Sequence, residues 1–364
     1  MFSPIDHAHM ARALRLAERG LYTTTPNPRV GCVIAHGSKI VGEGFHERAG
    51  EPHAEIHALQ RAGARARGGT VYVTLEPCSH HGRTPPCVEA LIGARVSRVV
   101  AAMRDPNPRV AGEGLQKLRT ARIAVDTGLL EEQACELNVG FVARMTRARP
   151  WLRIKTAASL DGGTALQNGR SQWITGAAAR RDGHRWRARS CAVMAGIGTL
   201  LADNPRLTVR EVKTTRQPLR IVVDRQLEIP LDANVLEGGH ALIVTAQDRA
   251  EKMRQLEQLG AQVVRLPDAE GKVDLVALMQ ELGRRELNEV LVESGGRLNG
   301  ALLRAHVVDE VLVYLAPHLL GDTARGMFDL GELTALEQRV ELTIREVRRV
   351  GADLRIIARP TGDG

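Results

Sequence analysis

The stretch PHAE at residues 52–55, together with TLEPCSHHGRTPPC at residues 74–87, decides the fold of the first half of this chain. It contains His53, Cys78 and Cys87, and histidine and cysteine are residue types that bind Zn²⁺. A catalytic zinc site uses three protein ligands and a water molecule. Glu55 follows the histidine by two residues, close to the metal without being needed as a ligand. The four residues together predict a zinc centre with one open position.

This pattern is typical of zinc deaminases, in which His-x-Glu is combined with Pro-Cys and a second cysteine. Zinc in such a site lowers the pKa of its water to about 7. We therefore predict that Glu55 is the catalytic residue, which takes the water proton and delivers it to the ring nitrogen and then to the leaving ammonia. A structural zinc site with His80 or His81 as a fourth ligand is the alternative, and it leaves Glu55 without a role.

Helical and strand-like segments alternate around these residues. The spacing of apolar residues predicts helices at 6–19, 54–65, 86–93, 115–121 and 129–145. Apolar runs predict strands at 30–35, 39–45, 70–75 and 96–103, the first two joined by a turn at 36–38. This alternation predicts an α/β/α layout of about five strands.

A second domain begins after TRARP at 146–150, where Pro150 and a cationic run mark a break. We therefore divide the chain into domains 1–148 and 149–364. The second part opens with a strand in 151–162 and continues through apolar runs at 191–196, 219–224, 241–245, 262–266, 289–294, 310–316 and 353–358. Helical segments near 177–189, 248–259, 274–286 and 298–305 separate several of them, which predicts a mainly parallel sheet covered on both faces.

Composition excludes several classes of protein. The net charge is +8 over 364 residues, but the excess is diffuse and only 3% of residues are aromatic, which does not favour nucleic-acid binding. The longest apolar stretches, such as Val311–Leu320, are too short to cross a membrane. No export signal precedes the five cysteines, whose odd number argues against a disulfide framework. We expect a cytoplasmic enzyme with a small anionic substrate.

Glycines mark a possible phosphate site in the second half. EVLVES at 289–294 leads into GGRLNGALL at 295–303, so that glycines stand at the end of a strand and the start of a helix. Backbone N–H groups become available to phosphate at such a point. The stretch is not GxGxxG, and a tight strand-to-helix turn is the alternative interpretation.

The chain resembles a known family through a set of longer motifs. Eight residues separate Cys78 from Cys87, whereas nucleic-acid and nucleoside deaminases typically have Cys-x-x-Cys. This spacing resembles the bifunctional deaminase/reductase family of riboflavin biosynthesis. The resemblance extends over essentially the whole chain, through TTTPNPRVGCVI (23–34), GEPHAE (50–55) and DPNPRVAGEG (105–114).

The resemblance implies a cytidine-deaminase-like domain followed by a dihydrofolate-reductase-like domain that uses NADPH. It implies that the substrate is a phosphorylated diaminopyrimidinone, whose 2-amino group is hydrolysed before the ribosyl chain is reduced. In the deaminase domain it implies substrate contacts at Asn27, His46, Arg83 and Asn107.

For the reductase domain the resemblance implies two sets of residues. Cofactor contacts are expected at Ala157, Trp173, Thr199, Asp203, Gly295, Gly296, Arg297, Leu298, Asn299, Gly300 and Ala301. Arg225 is a departure from the family in a cofactor-side position, and either Arg225 or Arg297 is expected to contact the 2′-phosphate of NADPH or to face solvent. Substrate contacts are expected at Ser171, Arg187, Leu207, Arg210 and Glu293. Arg187 and Arg210 are candidate phosphate clamps, since guanidinium matches phosphate bidentately. Lys155, Asp161 and Glu293 are candidate proton donors.

Two other functions stay open at this point. One is a nucleoside or nucleic-acid deaminase with an accessory C-terminal domain, and the other is a zinc-organised binding module without catalysis. The cysteine spacing counts against the first and Glu55 counts against the second. We also expect a homo-oligomer, either a dimer or a tetramer, that binds neither nucleic acid nor membrane.

Overall fold

The computed structural model describes residues 1–79, 86–108 and 110–361. The chain divides into two compact units, Met1–Ala148 and Arg149–Gly364. None of the helices in the described part of the chain has the length and apolar character needed to cross a bilayer.

The first unit contains a five-stranded sheet in the order β2-β1-β3-β4-β5. Strand β1 is antiparallel to both of its neighbours, and β3, β4 and β5 are parallel. The strands are β1 (Gly31–His36), β2 (Lys39–Phe45), β3 (Thr70–Val73), β4 (Arg98–Ala101) and β5 (Ala124–Thr127). The helices are α1 (Pro4–Ala17), α2 (Ala54–Ala62), α3 (Cys87–Gly93), α4 (Glu113–Thr120), α5 (Glu131–Leu137) and α6 (Val139–Arg147).

Two glycines of β2 bring helix α2 against the sheet. A β-carbon on Gly42 would lie 2.2 Å from the carbonyl oxygen of Ala58, and one on Gly44 would lie 2.6 Å from that of Ala54. Any larger side chain at these positions would therefore push the helix away. Because α2 begins directly after His53, this close packing fixes where the histidine and Glu55 stand relative to the sheet.

The second unit contains a nine-stranded sheet in the order β11-β10-β9-β8-β12-β6-β13-β16-β15. The first seven strands are parallel, and β16 and β15 complete the sheet as an antiparallel hairpin. These strands are β6 (Trp151–Ser159), β8 (Ala192–Gly196), β9 (Leu219–Val223), β10 (Ala241–Thr245), β11 (Ala261–Arg265), β12 (Glu289–Val292), β13 (Glu310–Ala316), β15 (Leu342–Val350) and β16 (Asp353–Pro360).

Two short strands, β7 (Gly163–Ala165) and β14 (Arg325–Gly326), form a separate ladder. The helices of this unit are α7 (Ala177–Arg189), α8 (Ile197–Asp203), α9 (Ala250–Gln258), α10 (Leu275–Arg284) and α11 (Gly296–Arg304). The central strands β8, β9 and β10 are buried almost throughout, because helices cover a parallel sheet on both faces.

The structure corrects the expectation of one long helix before the domain boundary. The single helix predicted at 129–145 is two helices, α5 and α6, which meet at Asn138. The buried Asn138 side chain accepts a hydrogen bond from the Arg29 backbone N–H at 2.8 Å and donates one to the Arg29 carbonyl at 3.0 Å.

Candidate active sites

The three predicted zinc ligands meet in the first unit. His53 is the N-cap of α2, Cys78 follows β3, and Cys87 is the first residue of α3. The Nδ1 atom of His53 lies 3.5 Å from the Cys78 sulfur and 3.3 Å from the Cys87 sulfur. One ligand atom from each of the three residues lies within 4.8 Å of the other two. Two sulfurs and one imidazole nitrogen at this separation fit a Zn²⁺ ion.

The electrostatics of the cluster favour thiolate at Cys78. The hydrogen bond with Cys87, aided by His53, lowers the pKa of Cys78 to about 4 against the opposing effect of burial. The same hydrogen bond and burial raise the pKa of Cys87 well above its ordinary value. The backbone N–H of Cys87, at the start of α3, donates to the Cys78 sulfur at 3.3 Å. These contacts give the site an anionic sulfur, the form that binds a metal.

Glu55 lies beside the cluster in the first turn of α2. Its side chain is buried, and burial raises its pKa to about 7, with His53 acting in the opposite direction. A carboxyl group with a pKa near neutrality both accepts and releases a proton at physiological pH. The predicted proton carrier is therefore adjacent to the three predicted ligands.

Two of the predicted substrate contacts lie close to His53. The His46 ring packs edge-on against the His53 ring with centroids 5.3 Å apart. Asn27 pairs with His46 through Nδ2 and Nε2 at 3.1 Å. Asn107 is half-buried in the loop after β4, and its backbone N–H is bonded to the Asp105 side chain at 2.8 Å. Arg83, like His80 and His81, lies outside the described residues.

The second unit has a large cleft of about 2340 Å³ at the carboxyl ends of several parallel strands. Ten of the predicted cofactor contacts line it: Ala157, Trp173, Thr199, Asp203, Arg225, Gly295, Gly296, Arg297, Leu298 and Ala301. All five predicted substrate contacts of this unit line it too: Ser171, Arg187, Leu207, Arg210 and Glu293. The sequence motifs of the second half thus meet in one cavity.

Asn299 and Gly300 belong to the fold rather than to the cleft wall. Asn299 is fully buried and donates to the carbonyl oxygens of Ser294 and Met327 at 3.2 and 3.0 Å. Gly300 packs against the 329 segment, where a β-carbon would lie 1.8 Å from the Asp329 carbonyl oxygen. The family resemblance had implied cofactor contacts at both residues, but neither of them lines the cleft.

Arg187 and Glu293 form a bidentate ion pair on the cleft wall. The Arg187 Nε donates to one carboxylate oxygen at 2.6 Å and Nη2 donates to the other at 2.8 Å. Nη1 donates to the Thr208 carbonyl oxygen at 2.9 Å. Because Glu293 already balances the charge of Arg187, these contacts do not support its prediction as a phosphate clamp.

The three candidate proton donors differ in their surroundings. Although burial acts to raise it, Arg187 and Lys155 lower the pKa of Glu293 to about 2, so it is ionised at neutral pH. Asp161 is bonded to Ser159 and to the backbone N–H groups of Leu320 and Gly321, which makes it a turn residue. Lys155 lines the cleft, and burial lowers the pKa of its amine. Only Lys155 among the three combines access to the cleft with a proton to give.

Sequence reasoning missed two side chains that the structure brings to these sites. His184 lines the cleft and its Nδ1 accepts from the Arg210 backbone N–H at 3.3 Å. Burial, with Arg187 and Arg210, lowers the pKa of His184 to about 4, so it is neutral. Glu76, between β3 and Cys78, is buried and bonded to the loop that contains Asn107. Neither residue has a spacing that indicates its role.

Comparison with known proteins gives matches to both units. Residues 3–103 match the model for the cytidine and deoxycytidylate deaminase zinc-binding region, and residues 150–356 match the model for the RibD C-terminal domain. The riboflavin biosynthesis protein RibD of Escherichia coli is 48% identical over 96% of this chain and 98% of its own length. The chain belongs to the RibD family.

Solved structures of this family have the same fold. Acinetobacter baumannii RibD superposes with a TM-score of 0.92 at 42% identity, covering 98% of this chain and 99% of that one. The Thermotoga maritima diaminohydroxyphosphoribosylaminopyrimidine deaminase/5-amino-6-(5-phosphoribosylamino)uracil reductase has a TM-score of 0.88 at 34% identity, with the same coverage. The family and the fold class predicted from the sequence are confirmed.

Membership of the RibD family also settles the kind of enzyme. The protein is a bifunctional enzyme of riboflavin biosynthesis, with a zinc-dependent deaminase domain and a reductase domain. Zinc and NADPH are the cofactors. The alternatives of a binding module and of a deaminase with a merely accessory second domain are thereby set aside.

Proposed function

We propose that residues 1–148 hydrolyse the 2-amino group of 2,5-diamino-6-(5-phosphoribosylamino)pyrimidin-4(3H)-one to give 5-amino-6-(5-phosphoribosylamino)uracil. Residues 149–364 then reduce the ribosyl group of that product to a ribityl chain with NADPH. The observation that carries the proposal is the meeting of His53, Cys78 and Cys87 beside the buried Glu55, in a chain that also has the reductase cleft.

In the deaminase site, His53 Nδ1 and the sulfurs of Cys78 and Cys87 would hold Zn²⁺, which would supply an activated water as the nucleophile. Glu55 accepts a proton from that water and passes it to the ring nitrogen. As the carbon–nitrogen bond to the 2-amino group breaks, Glu55 delivers the second water proton to the leaving ammonia. The water oxygen remains as the new carbonyl. Asn27, His46 and Asn107 are our candidates for substrate contacts, as is Arg83.

In the reductase site, the ribosylamine opens to an imine, and NADPH bound in the cleft would supply the hydride for the former anomeric carbon. The imine nitrogen takes up the electron pair of its double bond and needs one proton. We propose that Lys155, which lines the cleft, donates that proton. Glu293 stays ionised and stabilises the charged amine of Lys155. Orientation of the imine against the nicotinamide supplies much of the acceleration.

Anionic groups of both ligands need cations in this cleft. We assign the substrate phosphate to Arg210, which is exposed in the cleft and makes a hydrogen bond to the Thr208 hydroxyl at 3.3 Å. Arg225 and Arg297 are exposed on the cofactor side and are our candidates for the 2′-phosphate of NADPH. The other predicted cofactor contacts that line the cleft remain assigned to NADPH.

Product masses test the pair of activities. Incubating the purified protein with the diaminopyrimidinone alone should give the deaminated uracil and ammonia, and adding NADPH should convert the uracil to its ribityl form. A chain with a diffuse basic charge, 3% aromatic residues and a cleft of this size favours a small phosphorylated substrate over nucleic acid. Reduced cysteines in a metal site favour a cytoplasmic setting.

We further propose that the protein is a homo-oligomer that assembles through strand β15. Ile344 and Val347 are 61% and 58% exposed on this edge strand, and residues 331–350 are all exposed or half-buried. A stable interface takes about 20–30 residues from each partner. In the first half of this segment Glu332, Glu337 and Glu341 outnumber Arg339, and in the second half Arg345, Arg348 and Arg349 outnumber Glu346. The two halves therefore have opposite net charge, and an antiparallel two-fold pairing brings them together.

Sedimentation tests this assembly. The double substitution Ile344→Lys and Val347→Lys should shift the wild-type oligomer to the monomer mass, because like charges then face each other across the two-fold axis. An unchanged mass for the double variant, or a monomeric wild type, would contradict the assignment of this strand.

A further inference from the structure

The side chain of Glu76 connects two segments of the deaminase unit. It is only 5% exposed and lies two residues before Cys78. One carboxylate oxygen, Oε2, accepts from the backbone N–H groups of Asp105 at 3.1 Å and Gly112 at 2.9 Å. The other, Oε1, accepts from those of Gly114 at 2.9 Å and Leu115 at 3.3 Å. One carboxylate thus satisfies four donors of the 105–115 segment.

The position of these donors explains why a carboxylate is needed. Gly114 and Leu115 are in the first turn of α4, where the helix has no N–H partners of its own and negative charge is favourable. An ionised carboxylate has no proton, so both of its oxygens act as acceptors. Each oxygen has two lone pairs and can therefore accept from two N–H donors. No neutral side chain of the same size offers four acceptor sites in this place.

Close packing adds to this connection. A β-carbon on Gly114 would lie 2.1 Å from the carbonyl oxygen of Pro77, so the two segments touch along their backbones. The Ser79 hydroxyl donates to the Glu113 carboxylate at 3.3 Å, and the Lys117 amine donates to the Ser79 carbonyl oxygen at 2.7 Å. Residues 76–79, which include the zinc ligand Cys78, are therefore connected by hydrogen bonds and close packing to Asp105 and to the start of α4.

We infer that Glu76 is a positioning residue of the deaminase, which holds the segment containing Asn107 in register with the segment containing Cys78. The inference rests on the proposed function, in which Asn107 contacts the pyrimidine. Glu76 itself touches neither the substrate nor the metal. Its role is to keep one wall of the pocket at a set distance from the zinc ligand.

Glu76→Gln is the sharpest test, because it keeps size and shape but puts an NH₂ group against two backbone N–H donors. We expect one zinc per chain to be retained and the KM for deamination to rise about ten-fold or more, with a smaller change in kcat. Amide hydrogen exchange at Gly112, Gly114 and Leu115 should become faster. Reduction of supplied deaminated substrate should stay at the wild-type rate.

Two further variants make the result decisive. Glu76→Asp keeps both acceptor oxygens on a shorter arm, so its KM should lie between those of wild type and Glu76→Gln. If the glutamine variant does not fold, the KM of Glu76→Asp should still exceed that of wild type while zinc is retained, and a wild-type KM there would contradict the inference. Glu18→Gln, a matched change at an exposed carboxylate of the same unit, should leave KM and amide exchange unchanged.

Other outcomes would overturn the inference. The first is that, in Glu76→Gln, both the amide exchange rates at Gly114 and Leu115 and the KM for deamination stay within about two-fold of wild type. The second is that the variant loses zinc while its metal-loaded fraction keeps a normal KM. Failure of the proposed function is distinguishable, because the wild type would then not deaminate the pyrimidinone while the amide exchange of Glu76→Gln would still report on the connection.

Discussion

Arg187 of helix α7 and Glu293, which follows strand β12, face each other with both guanidinium–carboxylate hydrogen bonds formed, at 2.6 and 2.8 Å. The two side chains are 14% and 15% exposed, so water screens the pair only weakly. The residues are far apart in sequence, and each had been expected to contact the substrate on its own. Their pairing makes Arg187 the residue that keeps Glu293 ionised and oriented in the reductase cleft.

Replacing Arg187 with Ala should therefore leave a buried carboxylate without its partner. We expect the free energy of unfolding of the second unit to fall by about 3 kcal/mol, and less in the double variant Arg187→Met with Glu293→Leu, because removing one partner of a buried pair costs more than replacing both. Urea unfolding measures both values. Reductase kcat/KM should also fall about ten- to a hundred-fold, with NADPH affinity near normal. A double variant less stable than the single one would contradict a paired role.

Lys155 should set the alkaline limit of the reductase. The amine donates a proton only in its charged form, and burial lowers its pKa. The reductase kcat should therefore fall as the pH rises, with a midpoint below the ordinary pKa of lysine. If another group donates the proton, kcat should show no such fall in that pH range. Lys155→Met should lower kcat by about a hundred-fold or more and abolish that limb of the pH profile. Lys213→Met, at an exposed lysine of the same unit, is the matched control.

Arg210 should recognise the phosphate rather than the ring. Arg210→Ala should raise the KM for the phosphorylated uracil about ten- to a hundred-fold, since charge-assisted hydrogen bonds are lost. Steady-state kinetics with the dephosphorylated analogue provides the control, because wild type and variant should handle it alike. An equal loss with both substrates would place Arg210 elsewhere in the pocket.

Much of the fold follows from local patterns in the sequence. Apolar runs predicted most strands of both sheets, and helix α7 coincides with its prediction at 177–189. Strands β5 and β15 were missed, because Ala124–Thr127 is short and Leu342–Val350 is an exposed edge without a buried face. The break between α5 and α6 depends on the contact of Asn138 with Arg29, 109 residues away, which no local pattern shows.

The two sites also differ in how far the sequence predicts them. Metal ligands must be histidine or cysteine at close spacing, so His53, Cys78 and Cys87 are readable from the sequence. The reductase cleft is built from side chains of many strands and helices. Its sequence motifs indicated which residues line the cleft, but not that Arg187 and Glu293 form an ion pair there. Glu76 was missed because its four partners are backbone N–H groups, which every residue except proline has.

Substitution of Glu55 by Gln in the full chain tests the central claim, that one chain deaminates at the zinc cluster and reduces at a separate site. The amide has nearly the shape of the carboxyl group but cannot accept and return a proton. We predict one zinc per chain, no ammonia from the diaminopyrimidinone, and wild-type NADPH oxidation with the uracil product. Ammonia release within about ten-fold of wild type, or loss of both activities together in a folded, zinc-loaded variant, would contradict the account.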